Sequence, residues 1–281
     1  MDWFEETLHS GFRSRLGIDR IIHETKTEHQ HLIIFDNPEF GRVLALDGVV
    51  QTTEREEFIY HEMLAHTPIF AHGAARNILI IGGGDGGMLE EVLKHCSVKA
   101  AVQVEIDDTV VELSKQHLRS ICGEAYEDAR TEVVIADGVE FVNDTDRKFD
   151  VIIVDSTDPI GPGEVLFGRR FYGGCKRCLA DGGILVTQNG VPFVQGEELS
   201  GTLSVFRELF ESVTCYRASV PAYIGGDMTF GWGSDDTRCA DVPLDILRER
   251  FKDSMIETNY YTPDVHRGAF ALPPYISRLF E

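Results

Sequence analysis

A glycine-rich loop at residues 82–87 is the first pattern in this chain that could bind a ligand. Gly82, Gly84 and Gly87 have the spacing Gly-x-Gly-x-x-Gly, which lets a ligand approach the backbone where a helix begins. Glu105 ends the next predicted strand, where nucleotide-binding folds place an acidic group for the ribose hydroxyls. The order of strand, glycine loop, helix, strand and acid therefore predicts a nucleoside site.

A carboxylate inside this loop, Asp85, narrows the choice of nucleoside. The pyrophosphate of a dinucleotide such as NAD would lie against the loop, and Asp85 would repel it. A sulfonium group would be attracted, so the sequence favours an S-adenosyl compound over NAD. Asp137 and Gly138 follow the third predicted strand and could receive the adenine edge, although an ordinary turn explains them equally well.

Two more carboxylates, Asp155 and Asp158, follow the fourth predicted strand. Ligands of open α/β folds bind at the carboxyl ends of the strands, so both groups are expected to converge with Asp85. The same loops contain no lysine or arginine, and three carboxylates in one place are costly unless a cation or metal lies between them. A di- or polyamine is the favoured cation, with Mg²⁺ as the alternative, and we expect no bound metal.

The loops that carry these residues connect β-branched runs that alternate with helical patterns from residue 76 onward. Such alternation is typical of strand-helix units stacked in a mostly parallel sheet. We therefore predict an α/β fold with a Rossmann-like, doubly wound sheet similar to that of methyltransferases. The predicted strands are 77–81, 101–105, 132–136, 151–155 and 184–188, with further strands within 212–234, and the predicted helices lie near 88–95, 109–117, 138–143, 169–179, 196–210 and 243–251.

The first part of the chain has a different pattern, with alternating apolar and polar residues and turn signals at Asn37-Pro38 and Asp47-Gly48. This predicts a small antiparallel β domain over residues 1–53, followed by a Rossmann-like catalytic domain over residues 54–281. The alternating segments are 18–25, 31–36 and 42–46, and the second domain is predicted to open with a helix at 54–66 that leads through Pro68 and Gly73 into the main sheet.

The chain is strongly acidic, with 47 Asp and Glu against 26 Lys and Arg and a formal net charge of −21. This charge repels nucleic-acid phosphates and anionic lipid head groups, so neither nucleic acid nor a membrane is an expected partner. The N-terminus shows no secretory signal, and no run approaches the roughly 18 apolar residues of a membrane helix. The six cysteines are irregularly spaced, as expected of buried free thiols. We therefore expect a cytoplasmic protein.

Three motifs make the chain resemble the spermidine synthases, which belong to the polyamine aminopropyltransferases. The motifs are residues 43–55 with 57–62, the glycine loop at 82–87, and residues 155–163. They occur in the order found in that family, and the similarity extends from about Phe12 to Leu272.

The resemblance implies transfer of an aminopropyl group from decarboxylated S-adenosylmethionine to putrescine, releasing spermidine and 5′-methylthioadenosine. The nucleoside is then a co-substrate, no separate cofactor is needed, and a homodimer or homotetramer is expected. Asp155 matches the catalytic aspartate, and Asp85 would hold the propylamine nitrogen. The other implied contacts are Gln30, Gly82, Gly84, Glu105, Asp137, Gly138 and Pro162 for the nucleoside, and Tyr60, His61, Asp158 and Tyr223 for the acceptor amine.

Three other functions remain open at this point. An amine N-methyltransferase would keep the nucleoside loop and move a methyl group, and a non-catalytic polyamine-binding protein would keep the carboxylates without turnover. An NAD oxidoreductase is a more distant alternative. The acceptor is also open among putrescine, cadaverine, agmatine and spermidine, with His61 and the loop 221–226 as the expected place of selection.

Overall fold

Three β-sheets contain the thirteen strands found in the described part of the chain. The computed structural model describes residues 2–158 and 161–280, with only the backbone of 161, 162 and 164. The strands are β1 (Asp2–Glu5), β2 (Arg15–Ile18), β3 (Arg20–Lys26), β4 (His31–Asn37), β5 (Gly41–Leu46), β6 (Val49–Thr53), β7 (Asn77–Gly82), β8 (Ala100–Glu105), β9 (Thr131–Ile135), β10 (Phe149–Asp155), β11 (Leu179–Gln188), β12 (Ser212–Ala218) and β13 (Met228–Ser234).

Ten α-helices connect or flank these strands within the same described ranges. They are α1 (Glu57–His72), α2 (Gly87–Leu93), α3 (Asp108–His117), α4 (Arg119–Cys122), α5 (Gly138–Asp144), α6 (Arg169–Cys178), α7 (Pro192–Leu209), α8 (Leu244–Ser254), α9 (Pro263–Ala269) and α10 (Pro274–Ser277). Short 3₁₀ helices occur at Ala125–Glu127, Gly161–Phe167 and Cys239–Asp241. In the described residues, no helix is both long and apolar enough to cross a membrane.

The seven-stranded central sheet has the order β12-β13-β11-β10-β7-β8-β9. Strands β7 to β11 are parallel to their neighbours in this group, whereas β13 pairs antiparallel with both β11 and β12. The chain winds outward in opposite directions from β7 and from β10, so a crevice opens at their carboxyl ends, where doubly wound folds bind ligands. The predicted α/β, Rossmann-like architecture is confirmed.

In the four-stranded antiparallel sheet β3-β4-β5-β6, the central strands β4 and β5 are buried on both faces, whereas β3 is largely exposed. Because side chains alternate along a strand, Leu32 and Ile34 of β4 pack with residues of α3 and α4. Ile33 and Phe35 point the other way and pack with Ala222, which lies between β12 and β13. The N-terminal sheet is therefore fixed against the main sheet's helices and against its last hairpin.

The predicted helix at 54–66 differs most from the observed one, because α1 begins at Glu57 and continues through Pro68 to His72. Proline has no amide hydrogen to donate inside a helix and normally ends one. Here every residue from Tyr60 to Ala71 is buried, so packing of α1 in the core outweighs that loss. The helix ends instead at Gly73, which adopts a left-handed conformation with φ +76°.

Most other predicted elements are present with shifted ends. The alternating segment 18–25 is divided, because the chain leaves the sheet β1-β2 at Ile18 and enters the next sheet at Arg20. Leu179 begins β11 rather than ending α6, and β1 and β6 were not predicted. Five cysteines are buried and free as expected, whereas Cys96 is exposed.

Helix α1 is tied to the C-terminal part of the chain by a buried carboxylate. Glu62 accepts backbone hydrogen bonds from Asn259 at 2.7 Å, Tyr260 at 2.9 Å and Tyr261 at 2.6 Å. Its side chain is 1% exposed, so no water can replace these bonds. Glu62 therefore fixes both α1, which carries Tyr60 and His61, and the segment that covers its other side.

We expect Glu62→Leu to lower the free energy of unfolding by about 3 kcal/mol or more, because three buried amide hydrogens lose their acceptor. Chemical denaturation measures this loss. The matched control is Glu249→Leu on the exposed face of α8, which should change stability by less than about 0.5 kcal/mol. Equal effects of the two substitutions would contradict the assignment of Glu62 as an anchor.

Candidate active site

An open cleft of about 1360 Å³ lies at the carboxyl ends of β7 and β10. Every predicted site residue whose side chain is described lines this cleft, namely Gln30, Tyr60, His61, Gly82, Gly84, Asp85, Glu105, Asp137, Gly138, Asp155, Asp158 and Tyr223. The side chain of Pro162 lies outside the described residues. The structure thus brings the predicted residues together, while their individual roles remain predictions.

The glycine loop allows the ends of β7 and β10 to touch. The amide of Gly83 donates to the carbonyl oxygen of Asp155 at 2.9 Å. Gly82 has φ +86°, and a β-carbon there would collide with the same carbonyl oxygen. The side chain of Gln103 on β8 donates to the carbonyls of Gly82 and Gly83 and fixes the loop from the other side. Glycine is therefore required for Asp155 to sit beside the loop.

Glu105 at the end of β8 lines the cleft, and its two carboxylate oxygens have different surroundings. Its Oε1 accepts the amide hydrogens of Ile106 at 2.8 Å and Asp107 at 3.0 Å, while Oε2 lies beside Gly84, where a β-carbon would be 3.0 Å away. Burial raises the pKa of Glu105 to about 7, although the two amides oppose this. Hydroxyl donors of a ribose would favour the ionised form.

Asp107, which the sequence reasoning missed, connects the nucleoside end to the N-terminal sheet. Its Oδ1 caps α3 by accepting the amide of Thr109 at 3.0 Å, and its Oδ2 accepts from Gln30 Nε2 at 3.1 Å. Gln30 lies in the turn between β3 and β4 and is held over the cleft by this contact. The only local sequence signal for Asp107 was its position as a helix N-cap, and that position does not predict a contact with Gln30.

Asp137 caps the N-terminus of α5 and also lines the cleft. It can therefore serve both as a turn residue and as a contact for adenine. Its Oδ1 accepts the amide hydrogens of Val139 at 2.7 Å and Glu140 at 3.3 Å. The next residue, Gly138, packs so closely on β7 that a β-carbon would lie 2.7 Å from Ile81 Cγ2. A flat ring can approach this backbone closely.

The centre of the cleft contains His61, Asp85 and Asp155, whose nitrogen and oxygen atoms lie within 4.8 Å of one another. The hydroxyl of Tyr60 donates to Asp155 Oδ1 at 2.7 Å. Burial raises the pKa of Asp155 to about 6, with Asp85 adding to the rise, while the His61 charge and the Tyr60 hydrogen bond oppose it. Asp155 is thus a carboxylate whose proton affinity is increased by its surroundings.

His61 supplies the positive charge of this centre. Its Nδ1 lies 2.6 Å from Glu57 Oε2 and its Nε2 lies 3.5 Å from Asp85 Oδ2. Burial disfavours the charged ring, but Asp85 and Glu57 outweigh it and raise the pKa of His61 to about 10. Glu57 was not predicted, although its spacing of four residues from His61 on one helix was a signal for a paired side chain.

The acceptor end of the cleft is formed by aromatic rings and a further carboxylate. Tyr223 lies edge-on to Tyr60, with ring centroids 5.7 Å apart, and its hydroxyl donates to the carbonyl of Gln51. Burial raises the pKa of Asp158, although a hydrogen bond from Gln195 opposes the rise. Gln195 was missed by the sequence reasoning because it lies on α7, which is distant in the chain.

The cleft as a whole is negatively charged. The carboxylates that line it are Glu6, Asp85, Glu105, Asp137, Asp155 and Asp158. Among the described lining residues there is no lysine or arginine, and the groups able to carry positive charge are His9 and His61. Such a surface attracts a cationic ligand and disfavours a phosphate.

His61, Asp85 and Asp155 are close enough to hold a metal ion. A histidine can ligate a metal only through an unprotonated nitrogen, and the raised pKa of His61 favours the imidazolium form. A metal bound here would therefore have to displace the proton of His61.

A sequence model described as the spermine/spermidine synthase domain matches residues 57–242. The chain belongs to this family. A second model, described as the spermidine synthase tetramerisation domain, matches residues 2–54 and indicates an oligomeric assembly. The resemblance inferred from the three motifs is confirmed, and so is the enzyme class, a transferase.

Curated relatives agree with this assignment over nearly the whole chain. The chain is 58% identical over 276 residues to polyamine aminopropyltransferase 1 of Pseudomonas aeruginosa, covering 98% of this chain and 96% of that one. It is 55% identical to the polyamine aminopropyltransferase of a Ruegeria species, covering 99% and 98% of the two chains.

Two solved structures share the fold. One is a spermidine synthase in complex with the transition-state analogue AdoDATO, with a TM-score of 0.93, 35% identity, and coverage of 99% of this chain and 94% of that one. The other is spermidine synthase from Thermotoga maritima, with a TM-score of 0.90, 34% identity, and coverage of 99% and 93%.

We expect Asp155→Asn to stabilise the ligand-free protein at pH 8. Because the pKa of Asp155 is raised to about 6, its ionised form costs stability as the pH rises through that value. Allowing for solvent screening at this half-buried group, the melting temperature should rise by about 2–4 °C at pH 8 and by less at pH 5. A variant that melts lower than the parent at pH 8 would contradict the burial of an ionised Asp155.

Proposed function

We propose that this polyamine aminopropyltransferase transfers the aminopropyl group of decarboxylated S-adenosylmethionine to putrescine, forming spermidine and 5′-methylthioadenosine. The observation that carries the proposal is the set of carboxylates around His61, Asp85 and Asp155, in a cleft whose described lining contains no lysine or arginine. A sulfonium nucleoside with a free propylammonium group and a diamine together supply the positive charge that this site lacks. Family membership supports the same reaction.

The nucleoside would bind along the glycine loop, from Asp137 to Asp85. Oε2 of Glu105 would accept ribose hydroxyls, and Gln30 would cover the sugar from the N-terminal sheet. The adenine would lie against Asp137 and Gly138, with Pro162 as a further contact implied by the family motif. Asp85 would hold the propylammonium group and so place the methylene carbon next to sulfur near Asp155.

The acceptor amine would bind between Asp155 and Asp158. The rings of Tyr60 and Tyr223 provide an apolar wall for its methylene chain, and Asp158 would bind the far ammonium group. The near nitrogen would then face Asp155, whose Oδ1 is oriented by the Tyr60 hydroxyl. Two carboxylates flanking an apolar wall fit a short diamine.

The reaction itself is a displacement at carbon. The amine nitrogen forms a bond to the methylene carbon next to sulfur, and the carbon–sulfur bond breaks, leaving its electron pair on a neutral thioether. An alkylamine has a pKa of about 10 and is mostly protonated at neutral pH, so it must lose a proton before it attacks. Asp155 is proposed as the base, and holding the two reactants in line contributes as well.

No separate cofactor or metal is part of this proposal, and the nucleoside acts as a co-substrate. We also propose a homodimer or homotetramer assembled partly through residues 2–54, which the tetramerisation-domain match supports. The N-methyltransferase alternative predicts product from S-adenosylmethionine. Parallel assays with that donor and its decarboxylated form, followed by mass spectrometry of the nucleoside and amine products, distinguish the two reactions.

We expect Asp155→Asn to reduce the rate of methylthioadenosine formation by several orders of magnitude, because the amine loses its base and an opposite charge. The exposed Asp146→Asn is the matched control and should leave the rate unchanged. Near-normal turnover of Asp155→Asn would overturn the catalytic assignment. Absence of methylthioadenosine from the unmodified protein with every amine would overturn the proposed function.

The kcat/KM of the unmodified enzyme should fall as the pH drops below about 6, since this parameter reports the free enzyme and Asp155 must be ionised to act. Initial rates between pH 5 and 9 measure the profile. If the rate of Asp155→Asn, after correction for its lower maximum, falls on the acid side at the same pH as that of the unmodified enzyme, the titrating group is another residue.

A further inference from the structure

Helix α7 is interrupted near its start, and the interruption brings a side chain to the acceptor end of the cleft. Gln195 has φ −128° and ψ 33°, which are not helical, although α7 runs from Pro192 to Leu209. The Gln195 side chain folds back over Gly190, where a β-carbon would lie 2.6 Å from Gln195 Cδ. A non-helical residue inside a helix needs such compensating contacts.

The Gln195 amide makes contacts through both of its polar atoms. Its Oε1 accepts the amide hydrogen of Val191 at 3.0 Å. Its Nε2 donates to Asp158 Oδ1 and to Glu198 Oε2, the latter at 3.2 Å. The Val191 contact fixes which way the amide faces, so the donor side is directed at the two carboxylates.

The chain just before Asp158 is held separately. Gln188 Nε2 donates to the carbonyl oxygens of Ser156 at 3.1 Å and Thr157 at 3.2 Å. Gln188 therefore fixes the backbone that leads from Asp155 to Asp158, whereas Gln195 fixes the carboxylate of Asp158. Loss of the Gln195 amide would free the carboxylate without displacing the loop.

The charged groups around Asp158 come from two elements. Glu6 and His9 approach from the segment after β1, and Glu198 lies behind Gln195 on α7. Burial raises the pKa of Glu198 to about 8, with the charge of Asp158 adding to the rise, and its Oε1 is buried without a partner among the described atoms. At neutral pH Glu198 is mostly protonated, and the Gln195 amide faces the carboxylate of Asp158 on its other side.

We propose that Gln195 is a positioning residue that fixes the Asp158 carboxylate and thereby makes the acceptor site select amines with a second ammonium group over monoamines. The inference rests on the proposed function, because it concerns how that reaction chooses its acceptor. Asp155 and Asp158 line the same cleft, so a diamine bound between them would face one carboxylate with each of its nitrogens. A monoamine would reach only Asp155.

The test compares putrescine with butylamine, which has the same four-carbon chain and a single amine. In Gln195→Met, a residue of similar length without the amide, we expect KM for putrescine to rise about tenfold or more. Its kcat should stay within about threefold, because Asp155 and the nucleoside site are untouched. KM for butylamine should change less than about twofold. Gln195→Asn, whose amide is one methylene too short to reach Asp158, should show the same pattern and serves if the Met variant does not fold.

The matched control is Glu197→Gln, which alters an exposed residue of the same helix and should change neither KM. Equal increases in KM for both amines, or a loss of kcat with KM unchanged, would overturn the role of Gln195. In that case the unmodified enzyme still forms methylthioadenosine from putrescine, so the proposed function stands. No methylthioadenosine from the unmodified enzyme with either amine would overturn the proposed function and the inference with it.

Discussion

The burial of several carboxylates at one sheet edge, without lysine or arginine beside them in the described lining, is the constraint on which this structure depends. Burial disfavours the ionised forms of these groups and neighbouring carboxylates add to the effect, so the pKa of Asp155 is raised to about 6 and that of Glu105 to about 7. His61, between Glu57 and Asp85, offsets part of it. A cationic nucleoside and an amine would neutralise the remaining charge, and relief of this cost would favour their binding.

The fold meets this constraint by ending its strands at the functional groups. Strands β7, β8 and β10 end at Gly82, Glu105 and Asp155, so the parallel sheet alone brings them to one edge. Gly82 and Gly83 at the end of β7 allow its backbone to contact Asp155 at the end of β10. Helix α1, which packs against β10 and β11 of the main sheet, then adds Tyr60 and His61, and Glu62 holds that helix to the C-terminal segment.

The features of the fold and of the site that depend on local sequence patterns could be predicted from the sequence. The strand periodicity, the spacing of the glycines and the positions of the aspartates after strands are local, and they placed Asp85, Glu105 and Asp155 in one site. Gln30, Tyr60, His61 and Tyr223 required the family resemblance. Glu57, Asp107 and Gln195 were not predicted. Glu57 and Asp107 had only weak local signals, a spacing of four residues from His61 and a helix-cap position, whereas Gln195 lies 37 residues from Asp158 and its contact leaves no local pattern. The continuation of α1 through Pro68 was not predicted, because packing of the helix in the core outweighs the local effect of the proline.

The most direct test is to compare, by calorimetry at pH 6, the binding of decarboxylated S-adenosylmethionine with that of neutral 5′-methylthioadenosine, in two buffers of different ionisation enthalpy. We expect the cationic nucleoside to bind more tightly and to release more protons, because only this ligand would place an ammonium beside Asp85 and lower the pKa of Asp155. The excess release should disappear in Asp155→Asn. Equal affinities and equal proton release for the two nucleosides would contradict the claim that uncompensated negative charge drives binding at this site.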